Sequence, residues 1–396
     1  MPETKLLRMP VMVPVLATFA LCIGGLSLLL PTSPAWVVLG GAGSTGAGLV
    51  TATLMAVTVA TQLWVVQPML NRFGWARTLA AGSLFMGLPA PLQALAPHLG
   101  LVLFSSGLRG VGFGILTVCC STALSLLVPA HLRGRAIGYY GLAAAVPQLL
   151  LTPLAPWLID HVGFRPVLIG GAITALGAPF AYRLGKLVDA HHESPVTGAQ
   201  AMAAGERAPV LPRIWPALLT LTVSTAAGGG FMTFVTDVAG EPSRASSALL
   251  AMMVAAVPTR LFGGTLTDRW GTRITLAPVL AVNAVGVVLL GLAAAQGGAS
   301  AAVLYGGALL TGCGYGFLQS VSMVRALNDA GPGNMTRASV AWNANFDIGT
   351  GLGGLAIGAM AAGLGFSGAW WVWAAVMTLS AAVIGTRDLR RTSRAS

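Results

Sequence analysis

This chain is poor in charge. Asp, Glu, Lys and Arg make up 8% of its 396 residues, against roughly 25% in soluble globular domains. That leaves too few polar groups to solvate a water-soluble protein of this length, and a large soluble enzyme is excluded first. Lysine is scarcer still, with Lys5 and Lys186 alone. No G-x-x-x-x-G-K-[ST] loop is present, so ATP-driven chemistry has no sequence support. The few cysteines, Cys22, Cys119, Cys120 and Cys313, lie in apolar runs without C-x-x-C spacing. They read as small buried apolar residues, with no disulfide and no metal site expected. His98, His131, His161, His191 and His192 fall in loops or at the ends of apolar stretches, with no H-E-x-x-H among them. No nucleophile–base pair stands within those stretches either. An enzyme is therefore not expected, and no cofactor is implied.

Apolar residues fill the chain instead. They reach 55%, with a mean hydropathy of +0.79, which excludes disorder, a state of chains poor in such residues. The 52 glycines follow no G-X-Y period and point to close helix–helix packing. A net charge of +11 would suit nucleic acid if the basic residues gathered on one polar face. They are scattered between apolar stretches, so no nucleic-acid partner is expected.

A bilayer core takes about 20 apolar residues per helix. Twelve stretches meet that length, at roughly 9–30, 38–66, 76–96, 99–128, 136–158, 166–184, 214–236, 245–266, 273–295, 300–325, 338–363 and 366–386. The first follows Lys5 and Arg8 like a signal peptide, but its apolar part is too long for one and it is read as retained. The expected fold is an all-α integral membrane protein, twelve transmembrane helices in two pseudo-symmetric six-helix bundles. Residues 1–184 form the first bundle and 214–396 the second, which ends in a short basic tail. Residues 185–213 are polar and read as a cytoplasmic linker; the adjacent His191 and His192 there read as solvated. With the N-terminus inside, inner segments carry 19 Lys and Arg residues and outer segments only Arg165 and Arg244. Basic residues accumulate in cytoplasmic loops, so both termini are expected in the cytoplasm and the protein in the cytoplasmic membrane.

The halves echo each other. Arg72 and Gly74, in the run Gln67 to Arg77, match Arg269 and Gly271 in the run Gly264 to Arg273, 197 positions on. Gly110, Gly112 and Gly114 match Gly312, Gly314 and Gly316 at an offset of 202. Duplicated bundles are a transporter signature, because similar halves can rock about a central site.

The run Gly264, Asp268, Arg269, Gly271, Arg273 resembles the loop motif of the major facilitator superfamily, G-x-x-x-D-R-x-G-R-R/K. Arg109-Gly110-Val111-Gly112 resembles its fourth-helix R-G-x-G element, and the run Asn345 to Gly353 resembles a pattern in its bacterial drug-exporter-like branches. The resemblance implies a gating latch for Asp268, its charge set against a helix N-terminus, where the dipole is positive. In the first half the usual Gly and Asp are Gln67 and Asn71, so the corresponding latch is expected to be weaker. The fifth-helix G-P-x-x-G-G element typical of antiporters is missing; Gly138, Gly141, Pro147 and Pro153 stand there without its spacing.

Charge inside a bilayer is costly and marks function by default. Arg109 and Asp347 lie well inside their stretches, and Asp237 lies at the outer end of the seventh. Burial disfavours a charged carboxylate, so Asp347 is the candidate proton carrier; its alternative is a neutral or paired structural Asp. Arg109 reads either as a coupling charge or as an anchor for backbone carbonyls near the glycine-rich segment. Gly228, Gly229 and Gly230 read as packing or as a hinge. A mostly apolar cavity with sparse polarity is expected from Gln62, Gln148, Phe231, Phe234, Tyr315, Gln319, Trp342, Asn343 and Asn345. Together these point to a monomeric secondary transporter that exchanges protons for a small, fairly hydrophobic compound or drug leaving the cell. A proton-coupled uptake symporter or an exporter of a sugar-like solute is the alternative.

Overall fold

The computed structural model describes residues 4–129, 132–191, 210–270, 272–331 and 334–392. Of these, the side chains at 4–5, 134, 264–270, 272–275, 336 and 391–392 are outside the description. Regular structure among the described residues is helical. The long helices are α1 (Met12–Leu39), α2 (Gly43–Ala60), α3 (Val66–Gly87), α4 (Leu99–Leu127), α5 (Arg133–Val162), α6 (Ala178–His191), α7 (Leu211–Ala239), α8 (Pro242–Trp270), α9 (Thr272–Ala295), α10 (Ala301–Ala330) and α11 (Met335–Thr392). A π-helical turn, Thr61–Val65, joins α2 to α3. A short helix, Phe164–Gly170, and a 3-10 turn, Gly171–Gly177, lead into α6.

Among the described residues, ten helices are long and apolar enough to cross a membrane, rather than the twelve expected. The difference lies in two of them, which run 51 residues (Gly43–Gln93) and 54 residues (Arg337–Arg390). At about 1.5 Å per residue each is more than twice a bilayer core of about 30 Å. Both are broken by a glycine in a non-helical conformation: Gly74 (φ 74°, ψ 175°) and Gly365 (φ 69°, ψ 169°). Gly163 (φ 81°, ψ 173°) has the same backbone geometry where α5 ends and the next helix begins. A residue with a Cβ rarely adopts it.

Two compact units divide the chain: Met1–Gly40 with Thr53–Ala203, and Gly41–Ala52 with Ala204–Ser396. In the first, α1 packs on α5 and α6, and α3 on α4 and α6. In the second, α7 packs on α10 and α11, α8 on α10, and α9 on α10 and α11. An apolar cluster of Ile214, Leu221, Ala326, Ala338 and Trp342 seals α7, α10 and α11 together. The helices flanking the expected linker run into it, α6 through His191 and α7 from Leu211. Residues 192–209, including His192, lie outside the described residues.

The repeated glycines set the helix register in both units. A Cβ on Gly110 or Gly114 would strike the carbonyl oxygens of Leu54 or Thr58; one on Gly312 or Gly316 would strike those of Met252 or Ala256. The middle glycines turn the other way, Gly112 toward Gly82 and Met86, Gly314 toward Asn283. The α4–α2 contact of one unit is thus reproduced as α10–α8 in the other, with partners 198 positions apart. Small residues allow this approach of backbones, which drives helix association where lipid competes equally for apolar side chains.

Candidate functional site

Arg109 of α4 is almost fully enclosed in the first unit. Its Nε donates to the Met86 carbonyl oxygen at 3.4 Å and its Nη2 to the Gly25 carbonyl oxygen at 3.3 Å. Among the described residues it forms no ion pair, so this arginine ties α4 to α1 and α3 through backbone acceptors. The π-helical turn places Gln62 on the same unit, where its Nε2 donates to Thr117 Oγ1 of α4 at 3.1 Å. Such turns recur at functional sites because they re-aim a side chain. Gln148 of α5 is half-buried.

In the second unit three polar side chains act on a fourth, the Tyr315 hydroxyl. Asp347 of α11 is buried, and its carboxylate acts electrostatically on the Tyr315 hydroxyl of α10. Arg260 of α8 acts on the same hydroxyl, and the Gln319 amide bonds to it. Tyr315 and Gln319 stand one helical turn apart, on one face of α10. Trp342 Nε1 donates to Ser322 Oγ at 2.9 Å, and its ring stacks on Phe346, 6.0 Å between centroids. Asn345 donates from Nδ2 to Thr222 Oγ1 at 2.8 Å and to the Leu218 carbonyl oxygen at 2.9 Å, clamping α11 to α7. Asn343 is exposed and bonds only its own helix, at the Ser339 carbonyl oxygen.

Two of the expected cavity residues are enclosed by other aromatic rings. Phe231 and Phe234 are fully buried, the first edge-on to Trp370 and the second against Phe366. The three glycines of α7 are filled by neighbours: Gly228 by the Tyr315 ring, Gly229 by Thr350, Gly230 by Ile357. The break in α7 comes later, at Phe234 (φ −115°, ψ 21°). Asp237 is exposed near the end of that helix.

The loop motif is described in its first copy only. Asn71 Oδ1 accepts from Gln67 Nε2 at 2.7 Å, Arg72 lies over the Phe73 ring, and Gly74 makes the break in α3. Gly271 and the side chains of Asp268, Arg269 and Arg273 lie outside the described residues, as does any contact that a side chain at Gly264 would meet.

Sequence reasoning missed three groups. Asp189, assigned to the linker, is on α6; its carboxylate accepts from the Trp75 N–H at 2.9 Å and the Ala76 N–H at 3.1 Å, capping the helix beyond Gly74. Arg325, assigned to an inner loop, is fully buried on α10. It grips Asp388 with both terminal nitrogens (2.9 and 3.1 Å) and Asp329 with Nε (2.6 Å). Arg260, also counted as a loop charge, lies within the apolar stretch Pro242–Gly263, with α8 continuing to Trp270. The Arg325–Asp329 pair was legible as an i, i+4 spacing; the other two groups needed the third dimension.

Comparison with known proteins agrees with this architecture. A model of the Major Facilitator Superfamily matches residues 15–353. A curated relative, the uncharacterized MFS-type transporter YhcA of Bacillus subtilis (strain 168), is 27% identical over 119 residues, 29% of this chain. The chain spans only 22% of that relative's length in the match. Among solved structures, the nucleoside transporter NupG superposes with a TM-score of 0.72 at 14% identity, covering 95% of this chain and 98% of NupG. A bacterial homolog of the human lysosomal transporter Spinster, inward-facing and unoccupied, gives 0.68 at 13%, covering 96% and 94%. At such identities the likeness is one of fold. The chain belongs to the major facilitator superfamily of multi-pass membrane transporters.

Proposed function

We propose that this protein is a secondary active transporter that exports a small, fairly hydrophobic compound in exchange for protons, by alternating access. The observation that carries this reading is the Asp347 carboxylate, buried inside an apolar helix. A carboxylate there can carry a proton, since desolvation penalises its charged form. The breaks at Gly74 and Gly365 support counting each double-length helix as two crossings, which gives twelve. The excess of inner basic residues supports placement in the cytoplasmic membrane with both termini inside. The Gln67–Asn71 bond supports a first-half loop that is held locally, without the charge–dipole attraction of an aspartate. Asp268 and Arg269 remain the proposed gating latch of the second half, and Arg109 a proposed coupling charge.

The test is transport in proteoliposomes under an imposed proton gradient, wild type against Asp347→Asn. Gradient-driven flux is expected to fall by roughly a hundredfold in the variant, with downhill exchange retained. Equal gradient-driven flux in the two proteins would remove Asp347 from the coupling path.

A second reading, movement of a polar solute by symport, is favoured by two buried amide oxygens, Gln319 Oε1 and Asn283 Oδ1, that have no hydrogen-bond partner among the described residues. It also accords with NupG being a nucleoside transporter. An imposed gradient of either sign, with radiolabelled nucleoside in the assay, separates the two readings by direction and solute.

A further inference from the structure

The glycine contacts align α2 with α8 and α4 with α10 residue by residue. Thr61 faces Gly114 as Thr259 faces Gly316, again 198 and 202 positions apart. The next position along is Gln62 in one unit and Arg260 in the other. Gln62 reaches Thr117, and the position equivalent to Thr117 is Gln319. The positions that form a neutral polar bridge in the first unit are thus occupied in the second by a full positive charge and an amide.

Arg260 is not a loop charge reaching for the interface. Helix α8 continues ten residues past it, about 15 Å. Its backbone is held on α10 by Ser320 Oγ, which donates to the Arg260 carbonyl oxygen at 2.5 Å. Its side chain is exposed, forms no ion pair among the described residues, and acts electrostatically on the Tyr315 hydroxyl. Next to Ser320 in the chain, Gln319 is 2% exposed and its Oε1 is an acceptor without a partner among the described residues. A buried amide oxygen left unpaired costs free energy that a ligand's donor recovers. The guanidinium offers a planar fork of donors matched to a carboxylate.

We propose that Arg260, Tyr315 and Gln319 form a substrate subsite on the second unit for an organic monoanion, with its carboxylate-class group on Arg260 and an adjacent N–H or O–H on Gln319. This rests on the transport reading above and narrows its substrate class to amphipathic acids. Arg260 alone supplies one positive charge, which matches a single anion, and the Asp347 carboxylate acting on the same Tyr315 disfavours a dianion.

The test is binding to the purified full-length protein in detergent, by calorimetry and thermal shift, with matched probes: indole-3-acetate against indole-3-acetamide, and benzoate against benzamide. Wild type is expected to bind each carboxylate about tenfold more tightly than its amide, as loss of one charge-assisted pair predicts. Arg260→Gln, which installs the side chain found at position 62, is expected to bring that ratio to about one while amide binding persists and shows the variant folded. Arg260→Lys should keep part of the preference. Gln319→Leu should weaken both indole probes, which share the ring N–H, by about threefold or more without changing their ratio, and leave benzoate, which has no donor, unchanged. The subsite is refuted by a wild type without carboxylate preference, non-binding of every probe included. It is equally refuted by an unchanged ratio in Arg260→Gln or unchanged affinities for the indole probes in Gln319→Leu. Binding in detergent needs no proton gradient, so loss of gradient-driven export with this preference intact would sink the coupling reading alone.

Discussion

Arg325 is fully enclosed, yet its charge is answered on two sides, by Asp388 across to α11 and by Asp329 one turn along α10. Removing one partner of such a buried pair typically costs about 3–5 kcal/mol, because the remaining charge stays desolvated. Arg325→Met is therefore expected to lower the unfolding temperature in detergent by several degrees, and Arg325→Met with Asp388→Asn to recover part of the loss. Equal unfolding temperatures for the single variant and wild type would show that water reaches the pair. Asp189 acts at smaller scale. Its two backbone bonds cap one helix, so Asp189→Ala should cost roughly 1 kcal/mol, within the range for lost caps. The same thermal measurement reads it, and a fall as large as that of Arg325→Met would mean the carboxylate does more than cap.

At the scale of the helix, glycine divides into two kinds that composition does not distinguish. Gly112 and Gly314 have neighbouring backbone or side-chain atoms where a Cβ would go. Gly138 and Gly141 of α5 have nothing within 4 Å. Gly112→Ala and Gly314→Ala should each destabilise by roughly 1–3 kcal/mol, as overpacking does. Gly138→Ala and Gly141→Ala should be neutral or stabilising by up to about 1 kcal/mol, the helix propensity gained. Unfolding followed in denaturant would decide, and a reversed order would contradict the packing described for α4 and α10. These contacts explain why the glycine repeat was visible in the sequence while its purpose was not. Spacing shows that the glycines recur on one helix; only the fold shows which neighbour each one admits.

For the whole molecule, the placement of the two glycine breaks has a direct consequence. With each break counted as a turn between crossings, Gly74 belongs to an inner loop and Gly365 to an outer one. Phe73 and Leu364 are exposed beside these breaks, and Cys22, Cys119 and Cys120 are buried and Cys313 half-buried. Phe73→Cys is expected to react with a membrane-impermeant maleimide in inside-out vesicles only, and Leu364→Cys in intact cells only. Labelling of both from the same side would reject the twelve-crossing count. An even count, ten or twelve, keeps both termini on one side, so the positions of the termini alone do not separate the two.

The membrane class, the helical fold and the duplication were settled by the sequence alone, because each depends on one-dimensional quantities. Bilayer thickness sets the length of an apolar run, and duplication leaves its offset in the numbering. Arg109 and Asp347 were legible for the same reason, as charges in runs that otherwise hold none. What those charges meet was decided by tertiary structure. Arg109 proved to be bound to the carbonyls of Gly25 and Met86, while Arg260, which looked like one more inner-loop cation, lies within an apolar helix and accepts at its carbonyl from Ser320 of α10. Charge along a chain fixes which side of a membrane a loop prefers; only the packing of α8 on α10 decides whether a given cation faces lipid headgroups or another side chain.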